Sequence, residues 1–172
     1  MDPSAAARPT IAILGGTGEQ GPGLAMRWAR AGYPVIIGSR QAEKAQRVAA
    51  ELNERLGAPL VQGLDNAAAA AACDIAAITV PYEAQNALLE SLRDALQGKV
   101  LVDVNVALKP PKVARVFIPP EGSAAEQAQA ILGDGVAVVG AFQNVSAEKL
   151  DDLANAIDCD VLVTGDDRAA KR

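Results

Sequence analysis

The sequence predicts an α/β protein: a doubly wound, mostly parallel sheet covered by helices on both faces. Three observations predict it. Segments of β-type residues alternate with segments of helical periodicity along nearly the whole chain. The β-type segments are runs of Val, Ile, Leu and Ala without polar alternation, as in strands buried on both faces. The first of them runs into Gly15-Gly16-Thr17-Gly18-Glu19-Gln20-Gly21, a glycine-rich turn that opens a helix.

Residues 10–14 form the first strand. A helix follows over 21–31, with Leu24, Ala25 and Trp28 on one face, and Gly32 stops it. Residues 34–37 are a second buried strand. A helix over 41–56 repeats Ala45, Val48, Leu52 and Leu56 at helical spacing and closes on Gly57. Residues 60–62 are a weak third strand, and the alanine run 67–72 is a short helix or a packed connection. Residues 74–80 are a strong fourth strand. The helix over 82–97 places Ala84, Leu88, Leu92 and Leu96 inward, with Gly98 as its stop. A fifth strand covers 100–106, and 109–122 is proline-rich and irregular. Ser123 and Glu126 form a capping box that opens a helix to Leu132. A sixth strand is expected over 136–142, a short helix over 146–154 and a seventh strand over 160–164. No fixed-period repeat or linker divides the chain, so one domain is expected over 1–172, with 1–9 as a flexible N-terminus.

Composition excludes several kinds of chemistry. The 172 residues suffice for one ordinary core. There is no histidine, which removes the Ser-His-Asp triad, Cys-His proteases and His-ligated metals. Lys and Arg number 16 against 21 Asp and Glu, and that acidic balance argues against nucleic-acid binding. The two cysteines, Cys73 and Cys159, lie far apart in apolar surroundings. They suit a reducing cytoplasm, and Cys159 reads as a small core residue. The N-terminal MDPSAAARPT lacks a signal-peptide core, and no run approaches the ~20 apolar residues of a membrane helix. An open sheet edge favours a homodimer.

Gly16, Gly18 and Gly21 fit G-x-G-x-x-G in its required context, after a strand and at the start of a helix. This is the pattern of the phosphate loop of the Rossmann dinucleotide-binding fold, and the competing reading is a merely structural glycine turn. The first glycine makes the turn, the second admits a pyrophosphate and the third lets the helix pack on the strand. An NAD site places an acid at the end of the second strand, about 20 residues on. Here that position is Gly38, followed by Ser39 and Arg40, with Lys44 one helical turn further. A hydroxyl, a guanidinium and an ammonium suit a 2′-phosphate, so NADP(H) is preferred over NAD(H). Charge agrees. Through residue 64 there are seven Lys+Arg against five Asp+Glu, and beyond it nine against sixteen. The competing reading is that Arg40 and Lys44 are ordinary surface charges.

The residues resemble the NADPH-dependent F420 reductase family, the coenzyme F420:NADP oxidoreductases. The matching stretches are GGTGEQGPGLAMRWARAGYPVIIGSR with Lys44, then CDIAAITVPYE, GKVLVDVNV, PPEGSAAEQAQ, GAFQNVSAEKL and DCDVLVTGDD, in the same order. The resemblance implies hydride exchange between C4 of nicotinamide and C5 of the deazaflavin F420. It places Thr17, Gly18, Glu19 and Gln20 along the pyrophosphate. Ser39, Arg40 and Lys44 would hold the 2′-phosphate. Val80, Pro81 and Tyr82 would border the adenosine-side ribose and the nicotinamide end. Asn144, Val145, Ser146 and Ala147 would lie near the nicotinamide and the deazaflavin. Tyr82 stands where the family often has tryptophan, and Ala107 where it often has proline. The resemblance also implies that family chains continue past the position of Arg172, with a segment that closes the sheet and supplies much of the F420 pocket. This chain is therefore expected to be complete for NADP and incomplete for F420.

Simpler roles stand beside these. Pro81 also suits a helix start, Tyr82 packing, and Ser146 an N-cap. Asn105, a polar residue at a strand end, is a further candidate for the site. Hydride transfer between two cofactors asks for little protein acid–base work, so no catalytic acid or base and no metal is expected. Two alternatives remain open: an NADP(H)-binding sensor without turnover, and an NADPH-dependent reductase of another small acceptor such as an imine or ferric chelate. The short-chain dehydrogenase reading fails on its Tyr-x-x-x-Lys pair, because Asn86 follows Tyr82 by four.

Overall fold

A computed structural model describes residues 8–108 and 116–172. Most of the expected flexible N-terminus, and 109–115 of the proline-rich stretch, lie outside the described residues. The first strand, β1 (Ile11–Leu14), is buried along its whole length, as is β2 (Val35–Ser39). Between them runs α1 (Gln20–Arg30). Helix α2 (Ala42–Leu56) closes on Gly57 in the left-handed region, φ 69°. There Ala58 N–H donates to Asn53 O and Gly57 N–H to Glu54 O, each at 3.2 Å, which satisfies the terminal carbonyls. The third strand, β3 (Val61–Asp65), leads directly into α3 (Asn66–Ala72), whose N-cap Asp65 accepts from Ala68 N–H at 2.8 Å. The alanine run is therefore a short helix.

The second half repeats the plan with β4 (Ile75–Ile78), α4 (Tyr82–Leu92), β5 (Val100–Asp103), α5 (Ala124–Leu132), β6 (Ala137–Gly140) and α6 (Ala147–Asp151). Ser123 Oγ accepts from Glu126 N–H at 3.1 Å, the expected cap of α5. All six strands are parallel, in the order β3-β2-β1-β4-β5-β6. The order reverses direction between β1 and β4, so a crevice opens there at the carboxyl ends of the strands. One apolar core lies under α3, α4 and α5 around Leu14, Leu89, Leu101 and Leu132. The other lies under α1, α2 and α6 around Ile13, Met26, Ile37 and Leu52. Gly23 lets α1 meet α6 closely, because a Cβ there would come 2.6 Å from Leu150 Cβ.

Several expected boundaries shorten, each for a physical reason. The expected strand over 100–106 ends at Asp103, whose carboxylate takes the Asn105 N–H at 2.8 Å and turns the backbone out of the ladder. The expected strand over 136–142 ends at Gly140, because Phe142 adopts φ 69°. Helix α4 stops at Leu92, and residues to Gly98 form turns, although Leu96 stays fully buried. The expected seventh strand over 160–164 does not form. Thr164 makes one antiparallel bridge to Gly140, with both hydrogen bonds at 2.9 Å, while Leu162 is 76% exposed. β-propensity needs a partner strand, and that segment meets the sheet at one rung only. Cys159 is exposed and is not a core residue. Cys73 is buried, and burial raises its thiol pKa.

Candidate dinucleotide site

The loop after β1 is shaped from inside by two of its glycines. Gly15 adopts φ 69°. Gly16 donates its N–H to Gly38 O at 2.9 Å, and a Cβ on it would sit 2.7 Å from Ile13 O. A Cβ on Gly21 would lie 2.6 Å from the Gly16 Cα, so α1 starts against the turn. Gly18 differs. The nearest atoms to a Cβ there are Gly15 O and Thr79 O at 3.9 Å, and the residue is exposed. Among the described residues no protein atom demands a glycine at 18, whereas a ligand backbone approaching the loop would. That opening is the fit expected of a pyrophosphate cradle. The start of α1 also suits an anion. It carries no side-chain cap and no acid in its first turn. Glu19 occupies the N-cap position and is exposed, so its backbone rather than its carboxylate suits a diphosphate. Thr17 is half-buried.

At the carboxyl end of β2, Ser39 is buried and its Oγ accepts from Gln41 N–H at 3.3 Å. Arg40 and Lys44 are both exposed, on the loop and the first turn of α2. Neither side chain makes a hydrogen bond or ion pair among the described residues, whose one salt bridge is Arg55–Asp151. The absent acid at 38 now has a cause. A Cβ on Gly38 would lie 2.7 Å from Asn66 Oδ1. That same Oδ1 accepts the Gly15 N–H at 3.0 Å, so buried Asn66 braces the phosphate loop across 51 positions. The sequence reading missed Asn66. Its signal was an Asp-Asn pair ahead of an alanine run, where one residue caps and the next points back to the loop.

The other expected residues gather along the same edge. Gln20 Nε2 reaches Phe142 O and Val145 O, both at 3.4 Å, and ties the phosphate loop to the turn between β6 and α6. Phe142 holds its left-handed backbone with its ring edge-on to Trp28, centroids 5.8 Å apart. Val145 is buried. Ser146 is the N-cap of α6, without a side-chain cap bond, and Ala147 is the helix's first residue. Asn144 is exposed and donates Nδ2 to Asp160 O at 2.8 Å, so its amide serves the neighbouring segment. Pro81 is the N-cap of α4, and Val80 is half-buried. Tyr82 OH donates to Gln127 Oε1 at 3.0 Å, which gives it a packing role. Burial, with help from Glu121, pushes its phenol up.

One polar group at this edge went unread in the sequence. Asp103, at the end of β5, and Gln85, on α4, have no exposed surface at all. Gln85 Nε2 donates to Asp103 Oδ2 at 3.1 Å and to Ala124 O at 2.9 Å. Burial pushes the Asp103 carboxyl up to about 6, against the hydrogen bonds of Asn105 and Gln85, which lower it. Its signal was an acid ending the apolar run Val-Leu-Val-Asp. Among the described residues no cluster of His, Cys, Asp and Glu could hold a metal, and no helix is long and apolar enough to cross a membrane.

The strand order, the switch point and the opened glycine loop define a dinucleotide-binding domain of the doubly wound α/β class. Within that class, the chain belongs to the family described as NADP oxidoreductase, coenzyme F420-dependent, which matches residues 10–107. The F420-dependent NADP reductase of Methanocaldococcus jannaschii is 43% identical over 169 residues, covering 94% of this chain and 75% of that protein. That of Methanothermobacter marburgensis is 46% identical, covering 93% and 74%. Among solved structures, an imine reductase from Bacillus cereus superposes with a TM-score of 0.57 at 23% identity, covering 81% of this chain and 42% of that one. Lactate dehydrogenase from Eimeria maxima gives 0.59 at 12%, covering 78% and 44%. The chain thus spans less than half of those structures, and at such identities they speak for the fold alone.

Proposed function

We propose that this protein transfers a hydride between NADP(H) and the deazaflavin coenzyme F420, with the chain acting as one NADP-binding domain. The observation that carries the cofactor is the end of β2. Ser39 and two unpaired cations stand there, and Gly38 excludes the acid an NAD site uses. Family membership carries the acceptor. In this reading Thr17, Gly18, Glu19 and Gln20 hold the pyrophosphate, and Ser39, Arg40 and Lys44 hold the 2′-phosphate. Val80, Pro81 and Tyr82 border the ribose and the nicotinamide, and Asn144, Val145, Ser146 and Ala147 form the wall toward the deazaflavin.

When bound, the two cofactors supply the hydride chemistry between them. The chain's task is to orient and to exclude water. Gln20 clamps the loop to the 142–145 turn, and Asn66 holds the loop's N–H, so the two walls of the crevice are tied to one sheet edge. Free thiols at Cys73 and Cys159 support a reducing, cytoplasmic location, and the open edge at β3 supports a homodimer.

The direct test mixes the protein with NADPH and F420 and follows deazaflavin absorbance. The expected result is loss of the oxidised F420 band at the expense of NADPH. Bound NADPH with no absorbance change leaves a sensor without turnover. Arg40→Ala should weaken NADPH by about tenfold or more and NADH hardly at all. Equal weakening of both would refute the 2′-phosphate assignment.

A further inference from the structure

The chemistry proposed above uses no protein acid, yet the chain buries one at the site. Asp103 ends β5 at the carboxyl edge, in the half of the sheet (β4, β5 and β6) that faces the second mononucleotide of a dinucleotide. Both of its oxygens accept. Oδ1 takes the Asn105 N–H at 2.8 Å and Oδ2 takes Gln85 Nε2 at 3.1 Å. Gln85 is itself committed at both ends. Nε2 also donates to Ala124 O at 2.9 Å, and Oε1 accepts from Asn105 Nδ2. The Asp103 carbonyl accepts from Gln143 Nε2 at 2.8 Å and from Ala141 N–H at 3.0 Å, which joins the cluster to the 141–145 turn.

These directions interlock. A carboxylate is acceptor-only and meets two donors here, so the arrangement fits the ionised form. A proton on Asp103 can take a lone pair that neither donor uses, so the bonds need not break, but they lose the assistance of the charge and the hold on Gln85 weakens. The orientation of Asn105 is therefore linked to the charge on Asp103. Asn105 is half-buried, and its Oδ1 accepts no hydrogen bond among the described residues. It is an open acceptor within the Asp103–Gln85–Asn105 group.

We propose that the Asp103 carboxylate is a positioning residue that acts through Gln85 to hold Asn105, and that Asn105 Oδ1 accepts the carboxamide N–H of bound nicotinamide. This rests on the NADP(H) part of the functional reading and does not require F420. The groups facing Asp103 leave the switch to its own titration. Tyr82 of α4 lies within reach of the Asp103 charge, as it does of Glu121, and from the β6 side Gln143 and Ala141 bond the Asp103 carbonyl. With the Asp103 carboxyl near 6, Asn105 is held at neutral pH and held less firmly in mild acid.

The test measures, by calorimetry on the whole chain, the affinity for NADP+ and for 2′-phospho-ADP-ribose, which lacks nicotinamide. Their ratio cancels the titration of the 2′-phosphate that both carry. In the wild type the ratio should fall about fivefold from about pH 7.5 to about pH 5. Asp103→Asn and Asn105→Ala should each give a low ratio that does not change with pH. A wild-type ratio equal at both pH values, or a pH step that survives in Asn105→Ala, overturns the proposal. If Asp103→Asn fails to fold, Asn105→Ala decides, since it leaves the buried acid in place. A ratio that behaves as expected while F420 absorbance never changes upholds the network and removes only the reductase reading.

Discussion

At the scale of single residues, Gly18 and Gly21 are glycines for different reasons, and mutation separates them. Gly18→Ala meets nothing closer than 3.9 Å, so stability should change by less than about 0.5 kcal/mol while NADPH affinity falls about tenfold. Gly21→Ala drives a methyl into the Gly16 backbone and should destabilise by about 1–3 kcal/mol. Chemical denaturation and NADPH titration of the two variants check the contrast. Equal stability loss in both would show that Gly18 is structural too. Asp103 makes a further prediction, in pH. Its folded carboxyl lies near 6, above the unfolded 3.8. The folded state then holds more proton between those values, and the group's contribution falls as pH rises through that window and stays low above it. The wild type should thus lose on the order of 3 kcal/mol from this group between about pH 4 and pH 7. Asp103→Asn should lack that slope, as pH-dependent melting would show.

At the scale of elements, the site depends on how α1 and α6 meet. Gly23 permits their approach, Arg27 donates to the carbonyls of Lys149, Leu150 and Asp152 at the end of α6, and Trp28 backs Phe142. Helix α6 has only five residues, too short to persist without such contacts. Arg27→Ala should therefore loosen the 142–151 segment by about 1–3 kcal/mol and raise its amide exchange while the sheet stays protected. Uniform exchange across the whole chain would contradict this. Element identity was largely legible in the sequence. Apolar runs marked five of the six strands and the third only weakly, the seventh expected strand does not form, and capping residues such as Ser123 and Gly57 marked helix ends. Ends set by side chains folding back were not legible. Asp103 on Asn105 and the left-handed Phe142 are tertiary choices that no periodicity announces.

At the scale of the whole molecule, the parallel order β3-β2-β1-β4-β5-β6 puts every strand's carboxyl end on one edge. The described residues that directly follow β1, β2, β4, β5 and β6 consequently converge there, although they span residues 15 to 146. Positive charge also gathers in the half that includes the phosphate loop, against a net −5 for the chain. Binding of NADPH should weaken with salt, because Arg40 and Lys44 are exposed and easily screened. A Kd unaffected by ionic strength would argue against their phosphate role.

Fold class and the phosphate loop were legible from local spacing, and Ser39, Arg40 and Lys44 were legible as the proposed 2′-phosphate residues, because these depend on which residue types a turn or an anion accepts. Tertiary structure alone decided three things. Asn66 closes the place where an acid would stand at 38, and Gln20 reaches the 142–145 turn. Buried Asp103 and Gln85 form one network with half-buried Asn105. Each joins residues that are distant in the chain, and a hydrogen bond between distant residues leaves no trace in sequence until the sheet brings its ends together.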